Sequence, residues 1–336
     1  MKLFRYILPM VVLGSAFTAC DDIENIEPED VNKPYTYGPI YYQNLRDYKA
    51  SEHEICFGWF AEYNTPISMG RSFLGLPDSV DVISLWGGIP SDPSIMEDMR
   101  FVQKVKGTKM LLVAITRLDA ELDVLPHKQF WNEVKQMPAG DEKTELTKKA
   151  LEMYAEYFVD QVFENDLDGF DADNEPEGDM NDGDNFLHFY KHLAKYMGPN
   201  PDQTKEERRE LIRERYGNKV ANQEGICDKM LCVDGNGPSG CAPYSNYWLR
   251  QDYGGGTSFS SSWPYSKQVF CCNVGDNWQT PLDEMYRQAR AKAPDGGMKG
   301  GFGAFFINRN YRVTETNIEP YYHLRNCIQI QNPAIY

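Results

Sequence analysis

The sequence has few of the residues that build metal sites. It contains five histidines and no Cys-x-x-Cys pair in 336 residues. Only His188 and His192 stand at the i, i+4 spacing that puts two ligands on one helix face. They lie in an amphipathic aromatic run, where packing roles are expected. The sequence therefore argues against a metal site.

Positive charge is also scarce. The chain carries 34 lysines and arginines against 50 aspartates and glutamates, a net charge of -16. Nucleic acids and anionic lipid surfaces would not be attracted to such a field, so we predict neither as a partner. Aromatic residues make up 13% of the chain. That content is compatible with a sugar-binding cleft, although core packing accounts for most aromatic residues in any protein.

The sequence lacks repeats of solenoid length and a glycine-rich phosphate turn after its first predicted strand. Short β-rich apolar runs alternate with longer helical patterns, an order typical of parallel strands joined by crossover helices. Strands are predicted at 54–60, 80–85, 109–116, 169–175, 229–234, 247–253, 268–273 and 301–308. Helices are predicted at 95–106, 143–164, 184–197, 205–216, 281–292 and 317–330. Eight such strands predict an α/β fold, a single-domain (β/α)8 TIM barrel over residues 36–336, with an open doubly wound sheet as the alternative.

The N-terminus has the pattern of an export signal. Residues 1–20 combine a basic start, an apolar run and small residues before Cys20. The ending Phe-Thr-Ala-Cys resembles a bacterial lipobox, which implies that Cys20 is lipidated; a plain cleaved signal is the alternative. Residues 21–35 are acidic and predict a flexible tether. We expect a lipid-anchored protein of the cell envelope, in the outer membrane and exposed at its surface, with the lipid as its sole membrane contact.

Seven cysteines remain after Cys20, and an odd number cannot all pair. Export permits disulfides. A bridge from Cys227 or Cys232 to Cys241 is therefore a reasonable expectation, because it would staple a loop between strands.

The central stretch Asp168–Glu175 carries four acidic side chains in eight residues. In an extended strand Asp171, Asp173 and Glu175 share one face, about 6.6 Å from one to the next. A solvated or calcium-binding loop is the alternative. The apolar residues between the acids favour a buried strand, and strand ends are where barrel active sites lie.

The spacing Asp-x-x-Asp-x-Asp-x-Glu resembles the signature of glycoside hydrolase family 18, the chitinases and endo-β-N-acetylglucosaminidases. The matching acids are Asp168, Asp171, Asp173 and Glu175. Before the glutamate this family usually has an aromatic or apolar residue, whereas this chain has Asn174. The resemblance implies a TIM barrel and hydrolysis of glycosidic bonds.

A second motif, Gln251-x-Tyr253 at the end of the sixth predicted strand, resembles the endo-β-N-acetylglucosaminidase branch. Chitinases more often have Met-x-Tyr-Asp there. The third predicted strand ends in 113–116, Val-Ala-Ile-Thr, without the Ser-x-Gly-Gly of many members, and the eighth ends without a tryptophan. Chitinase activity is therefore the less expected of the two.

The resemblance also implies roles. Glu175 would donate a proton to the glycosidic oxygen and then act as a base toward water, while the substrate's 2-acetamido oxygen is the nucleophile. Asp173 would orient the acetamido group, Asp171 would hold Asp173, and Gln251 with Tyr253 would steady the same group. Asp168 is expected to be structural. No cofactor is needed for this chemistry.

Aromatic and polar side chains near strand ends are candidates for sugar contacts. We predict Trp86, Trp278 and Asn308 as substrate-binding residues. The expected partner is the GlcNAc-β-1,4-GlcNAc core of N-glycans or another GlcNAc-containing glycan, bound by a monomer. A non-catalytic glycan-binding lipoprotein and a chitinase are the alternatives.

Overall fold

The structure, a computed structural model, describes residues 36–65, 68–119, 127–277 and 282–334. The predicted signal with Cys20, the predicted tether and Trp278 lie outside these ranges. The described residues from Tyr37 onward belong to one compact unit. Within the described ranges, no helix has the length and apolar character that crossing a membrane requires.

Eight parallel strands form a closed barrel in chain order. They are β1 (Ile55–Phe60), β2 (Val82–Leu85), β3 (Lys109–Ile115), β4 (Gly169–Asn174), β5 (Met230–Gly235), β6 (Tyr247–Arg250), β7 (Gln268–Asn273) and β8 (Gly301–Phe305). Each overlaps one predicted strand, so the predicted (β/α)8 fold is confirmed.

Two strands, β6 and β8, end three residues earlier than predicted. The chain turns after β6, where the Asp252 amide donates to the Arg250 carbonyl at 2.7 Å. It turns after β8 because Phe306 adopts a left-handed backbone with φ 52°. A turn that depends on tertiary packing leaves no signal in an apolar run, so the pattern alone extended both strands too far.

Helices precede β1, follow β8 and form the β2–β3, β3–β4, β4–β5 and β7–β8 connections, whereas the described residues of the other three connections contain only short 3-10 segments. The helices are α1 (Pro39–Ala50), α2 (Pro93–Arg100), α3 (Lys128–Val134), α4 (Asp141–Glu164), α5 (Asn185–Leu193), α6 (Lys205–Tyr216), α7 (Asn218–Ala221), α8 (Val274–Asn277), α9 (Asp283–Arg290) and α10 (Tyr322–Gln331). The bounds of α6 match the prediction, because a capping box fixes its start: Thr204 accepts from the Glu207 amide and Glu207 bonds back to Thr204.

Side chains alternate between two buried layers. Every second strand residue, such as Phe57, Leu111 and Leu249, points into the barrel and forms an inner apolar cluster. The residues between them, such as Phe170 and Ala172, pack outward under the helices. Both faces of each strand are thus covered, which is why the strands read as nearly continuous apolar runs. An acid on the inner face is therefore held in a dry interior.

The predicted disulfide is wrong. Cys227, Cys232 and Cys241 are all free and buried. Cys232 belongs to the inner cluster of the barrel, whereas Cys227 and Cys241 pack in the outer layer. The wall of the barrel separates Cys232 from Cys241, which sequence spacing could not reveal. Cys227 and Cys241 share the outer layer and are nevertheless unbonded.

The barrel closes between β1 and β8. At this seam a buried ion pair joins Lys299, 1% exposed, to Glu54, 3% exposed. The Lys299 ammonium also donates to the Ala289 carbonyl at 3.1 Å, and the Lys299 amide donates to Glu54 Oε1 at 3.3 Å. Because these hydrogen bonds satisfy both charges, the pair can remain buried.

We expect Lys299→Met to lower the free energy of unfolding by about 3–5 kcal/mol, because it leaves the Glu54 carboxylate buried without its counter-charge. Urea denaturation measures the change. The control is Lys104→Met, since Lys104 pairs with Asp166 where both side chains are about half exposed and the loss should stay below about 1 kcal/mol. Adding Glu54→Leu to Lys299→Met should recover much of the loss. Equal losses in the two single variants would contradict the assignment.

Candidate active site

The acidic stretch forms strand β4 and its C-terminal end. Asp171 and Asp173 are fully buried and face the barrel interior, and Glu175 follows directly after the strand in a half-buried position. Asp171, Asp173 and Glu175 thus follow one another along β4 from the interior toward the mouth of the barrel. The prediction that these three share one face is consistent with the two-residue period of the strand.

Asp171 is anchored by the first two strands of the barrel. Its Oδ2 accepts hydrogen bonds from the Ser84 hydroxyl at 2.6 Å and from the Trp59 indole N–H at 3.1 Å. Trp59 and Ser84 are register partners in β1 and β2, so the barrel pairing itself aims both donors at one oxygen. Burial raises the pKa of Asp171 to about 7, and the two donors partly oppose this rise.

Asp173 lies one step closer to the mouth. Burial raises the pKa of its carboxyl to about 8, and the charges of Asp171 and Glu175 add to the rise, while Arg117 lowers it. Its Oδ1 accepts a hydrogen bond from the Gln251 side-chain amide at 3.4 Å. The predicted partners Asp173 and Gln251 are thus brought together from strands that are separated by about 78 residues of sequence.

Tyr253 reaches the same place from the loop after β6. Its ring lies 6.0 Å from that of Phe305. Burial raises the pKa of its phenol well above the usual value, and nearby Asp234, Asp173 and Glu175 contribute to the rise. Tyr253 therefore presents a neutral hydroxyl near the acids.

Asp168, the remaining acid of the motif, lies at the opposite end of β4. Its Oδ2 accepts from the Gln103 side-chain amide at 2.7 Å and from the Met110 amide at 2.9 Å. These bonds fasten β4 to β3 at the N-terminal end of the barrel. The expected structural role fits this placement.

Aromatic rings line the mouth of the barrel beside the acids. Phe305, the last residue of β8, lies 5.2 Å from the ring of Trp86 and 6.2 Å from that of Trp59. Trp86 is half-buried, so part of its ring faces solvent. Strand eight was predicted to end without a tryptophan, and its predicted end fell three residues too late. Phe305 is the residue that this error concealed.

Asn308 is placed differently from its prediction. It is 3% exposed and follows β8 in a short 3-10 turn. Its amide nitrogen donates to Glu62 Oε2 at 2.8 Å, and Glu62 has a left-handed backbone with φ 65°. The Asn308 amide therefore holds Glu62, the strained residue that lies two positions after the end of β1.

Asn174, the departure from the family pattern, has a structural explanation. Its side-chain amide donates to the Asn236 carbonyl at 2.8 Å, and the Asn236 amide donates to the Asn174 carbonyl at 2.9 Å. These reciprocal bonds tie the end of β4 to the loop after β5. An aromatic residue would hold this place by packing, whereas this chain uses polar contacts.

One acid at the site escaped the sequence analysis. Asp234, near the end of β5, is 1% exposed and is the register partner of Asp173. The Gln251 side chain hydrogen-bonds Asp234 as well. The sequence did carry one signal of this acid: the fifth predicted strand ends in an aspartate two residues after Cys232, which faces inward.

Within the described ranges, no group of three or more His, Cys, Asp or Glu side chains is arranged to hold a metal ion.

Known proteins show where this architecture occurs. The chain is similar to a glutamate-to-glutamine variant of BT1044, with 22% identity and a TM-score of 0.63 over 88% of this chain and 93% of that one. It is also similar to an endo-β-N-acetylglucosaminidase from Cordyceps militaris, with 20% identity and a TM-score of 0.60 over 90% of this chain and 98% of that one. A variant of that enzyme bound to fucosyl-N-acetylglucosamine-Asn gives the same values. No curated protein sequence matches the chain.

The model of glycoside hydrolase family 18, BT1044-like, matches residues 20–263, which include the acids of β4 and the Gln251-x-Tyr253 motif. With the closed barrel and the acids at the end of its fourth strand, this match identifies the chain as a member of glycoside hydrolase family 18.

Proposed function

We propose that this protein is an endo-β-N-acetylglucosaminidase that cleaves the GlcNAc-β-1,4-GlcNAc core of N-glycans with retention of configuration. One observation carries the proposal: the Gln251 amide contacts Asp173 at 3.4 Å in a buried site that also holds Tyr253. An amide, a carboxyl and a phenol together provide donors and acceptors for both ends of an acetamido group. A site that only bound sugar hydroxyls would have no need of a dry carboxyl pair beneath them.

The reaction would proceed in two steps. Glu175 gives its proton to the glycosidic oxygen as the C1–O bond breaks, while the acetamido carbonyl oxygen of the substrate forms a bond to C1. The product of this step is a positively charged oxazoline ring, and the aglycone leaves. Water then attacks C1, Glu175 takes up its proton, and the ring reopens. Two inversions at C1 give net retention.

The buried carboxyls suit the charge that develops in this reaction. Positive charge appears on the acetamido nitrogen only as the ring forms, and Asp173 would meet it with a carboxylate oxygen. An interaction that strengthens toward the transition state accelerates the chemical step. Asp171, fixed by Ser84 and Trp59, would keep Asp173 in place.

Features of the similar structures support this assignment. The ligand in the variant of the Cordyceps militaris enzyme is fucosyl-N-acetylglucosamine-Asn. The two substitutions of that variant replace an aspartate and a glutamate two residues apart, which is the spacing of Asp173 and Glu175 here. The intact proton donor in this chain also weighs against a binding protein that has lost its activity.

The proposal extends to the location of the enzyme. Lipidation at Cys20 and a tether over residues 21–35 would hold the barrel at the outer membrane, where it could reach glycoproteins. Trp86, beside Phe305 at the mouth, is the ring that we propose to stack on a sugar.

We expect Glu175→Gln to lower the rate of glycan release from a glycoprotein by about 100-fold or more, because general acid catalysis contributes on this scale. Mass spectrometry of the glycoprotein measures the release. Glu177→Gln is the control, since Glu177 is an exposed carboxyl on the same loop and its loss should leave the rate unchanged. Undiminished activity in the Glu175 variant would refute the role of the proton donor.

Substrate class can be tested on the wild-type protein. We expect it to remove high-mannose, hybrid or complex glycans from a defined glycoprotein panel and to leave one GlcNAc on each asparagine. Chitin oligomers of matched length should be cleaved slowly or not at all, because the Gln251-x-Tyr253 pair replaces the chitinase motif. Faster cleavage of chitin would make the protein a chitinase, and binding without cleavage of either substrate would make it a glycan receptor.

Asp171→Asn should raise thermal stability at the expense of turnover. Because the folded-state pKa of Asp171 is raised above its unfolded value, wild-type stability is lost as the pH rises from about 4 toward 7. Asparagine can still accept the Ser84 and Trp59 hydrogen bonds but cannot ionise. The gain in Tm over wild type should therefore be larger at pH 8 than at pH 5, and kcat should fall. Asp182→Asn, at an exposed position, is the control. A pH-independent loss of Tm in Asp171→Asn would contradict the argument.

A further inference from the structure

Asp234 is a buried acid to which the two-step reaction above assigns no role. It lies near the end of β5, directly across from Asp173 in the β4–β5 register and from Leu249 in the β5–β6 register. Backbones of paired strands lie about 4.8 Å apart, so two inward-facing neighbours hold their carboxyl groups close enough to share a proton. The fold therefore places Asp234 beside the carboxyl that would orient the substrate.

The residue after Asp234 also lies beside these groups. Gly235 turns with φ 68°, and a Cβ atom there would lie 3.5 Å from both Asp173 Oδ1 and the Gln251 amide nitrogen. The Gly235 carbonyl accepts a hydrogen bond from the Trp248 indole N–H at 2.9 Å. The strand end that carries Asp234 therefore lies next to Asp173 and Gln251.

The acids of the interior share a common deficit of hydrogen-bond donors. Asp171 Oδ1, Asp173 Oδ2 and Asp234 Oδ1 are each buried and find no partner among the described residues. A buried carboxylate oxygen without a donor is costly. A proton retained by one of the three acids would become a donor to a neighbour and would reduce this cost.

The groups that face Asp234 favour retention of such a proton. They are Asp171 and Asp173 from β4, Cys271 from β7 and Tyr253 from the loop after β6. None of these is a cation. Burial raises the pKa of Asp234 well above its usual value, and the charges of the two β4 acids raise it further, against hydrogen bonds from Gln251 and the Gly235 backbone.

We propose that Asp234 is a positioning residue for this reaction, whose protonated side chain donates a hydrogen bond to the free Oδ2 of Asp173. The proposal rests on the function proposed above and deepens it. With Gln251 on Oδ1 and Asp234 on Oδ2, Asp173 has a donor on each oxygen. The pair stabilises Asp173 as a carboxylate and fixes its plane before the acetamido group arrives, so less reorganisation accompanies the chemical step.

Two variants separate this role from simple packing. Asp234→Asn retains a donor of the same length, whereas Asp234→Leu fills a similar volume without one. We expect the asparagine variant to keep kcat within about threefold of wild type. Loss of a hydrogen bond to a charged group should lower kcat of the leucine variant by about 10–100-fold, with KM within about twofold. The acidic limb of its kcat profile should also move to higher pH, because Asp173 loses a donor that favours its ionised form.

The leucine variant should fold, because it replaces a buried acid by an apolar side chain beside Leu249; its Tm should equal or exceed that of wild type. Wild-type kcat and an unshifted acidic limb in Asp234→Leu would overturn the proposal. An equal loss of kcat in both variants would also overturn it, since the reaction would then need an ionised Asp234.

A thermal measurement decides the protonation state without any substrate. If Asp234 is protonated in the folded protein, Asp234→Asn should match the wild-type Tm at pH 6 and should exceed it only once the pH is high enough to ionise the wild-type acid. An asparagine variant that already exceeds the wild-type Tm at pH 6, by a margin that stays constant toward pH 9, would refute the protonated state, because the acid would then be ionised throughout. If the wild-type protein releases no sugar from any GlcNAc substrate, the proposed function fails. The Tm comparison of Asp234→Asn with wild type still tests whether Asp234 is protonated, because it needs no substrate.

Discussion

Burial of carboxyl groups in a dry barrel interior is the constraint on which this structure depends. The interior of a closed eight-stranded barrel is just wide enough for side chains to fill, and here its inner face is apolar over most of its height. Asp171, Asp173 and Asp234 enter that interior near its C-terminal end. Water would screen the charges of these acids from one another. Because the layer beneath them is apolar, the acids must instead share protons and hydrogen-bond donors.

The supporting contacts follow from this constraint. Trp59 of β1 and Ser84 of β2 face inward and donate hydrogen bonds to Asp171, and Gln251 reaches Asp173 from the end of β6. The rest of the fold keeps these strands in register. Glu54 and Lys299 form a buried ion pair where β1 and β8 close the barrel, at the end opposite the acids.

Much of this organisation could be predicted from the sequence. Alternation of apolar runs with helical patterns is strong in a parallel barrel, because every strand is covered on both faces, and all eight strands were found on that basis. The acids of β4 and the pair Gln251 and Tyr253 carry enough residue identity to be recognised by spacing. Their convergence required only that strand ends meet at one face of the barrel.

The parts that could not be predicted depend on tertiary contacts. Phe306 ends β8 through a left-handed backbone that its own sequence does not favour, so the strand ends at Phe305 rather than at residue 308. The expected cysteine bridge failed because spacing does not tell which layer a thiol joins. Asp234 was overlooked because one acid at a strand end looks like an ordinary boundary until its register partner is known.

The placement of Asp168 has a consequence for how sequences of this kind are compared. Its side chain fastens β3 to β4 at the base of the barrel, whereas Asp173 and Glu175 stand at the mouth. One short motif thus records two separate properties. In a homologue, the first acid would report that the strand pairing is kept, and only the last two would report that the chemistry is kept. If the proposed role of Glu175 holds, a chain that retains Asp168 but lacks this glutamate would be expected to fold as this one does and to lose hydrolysis.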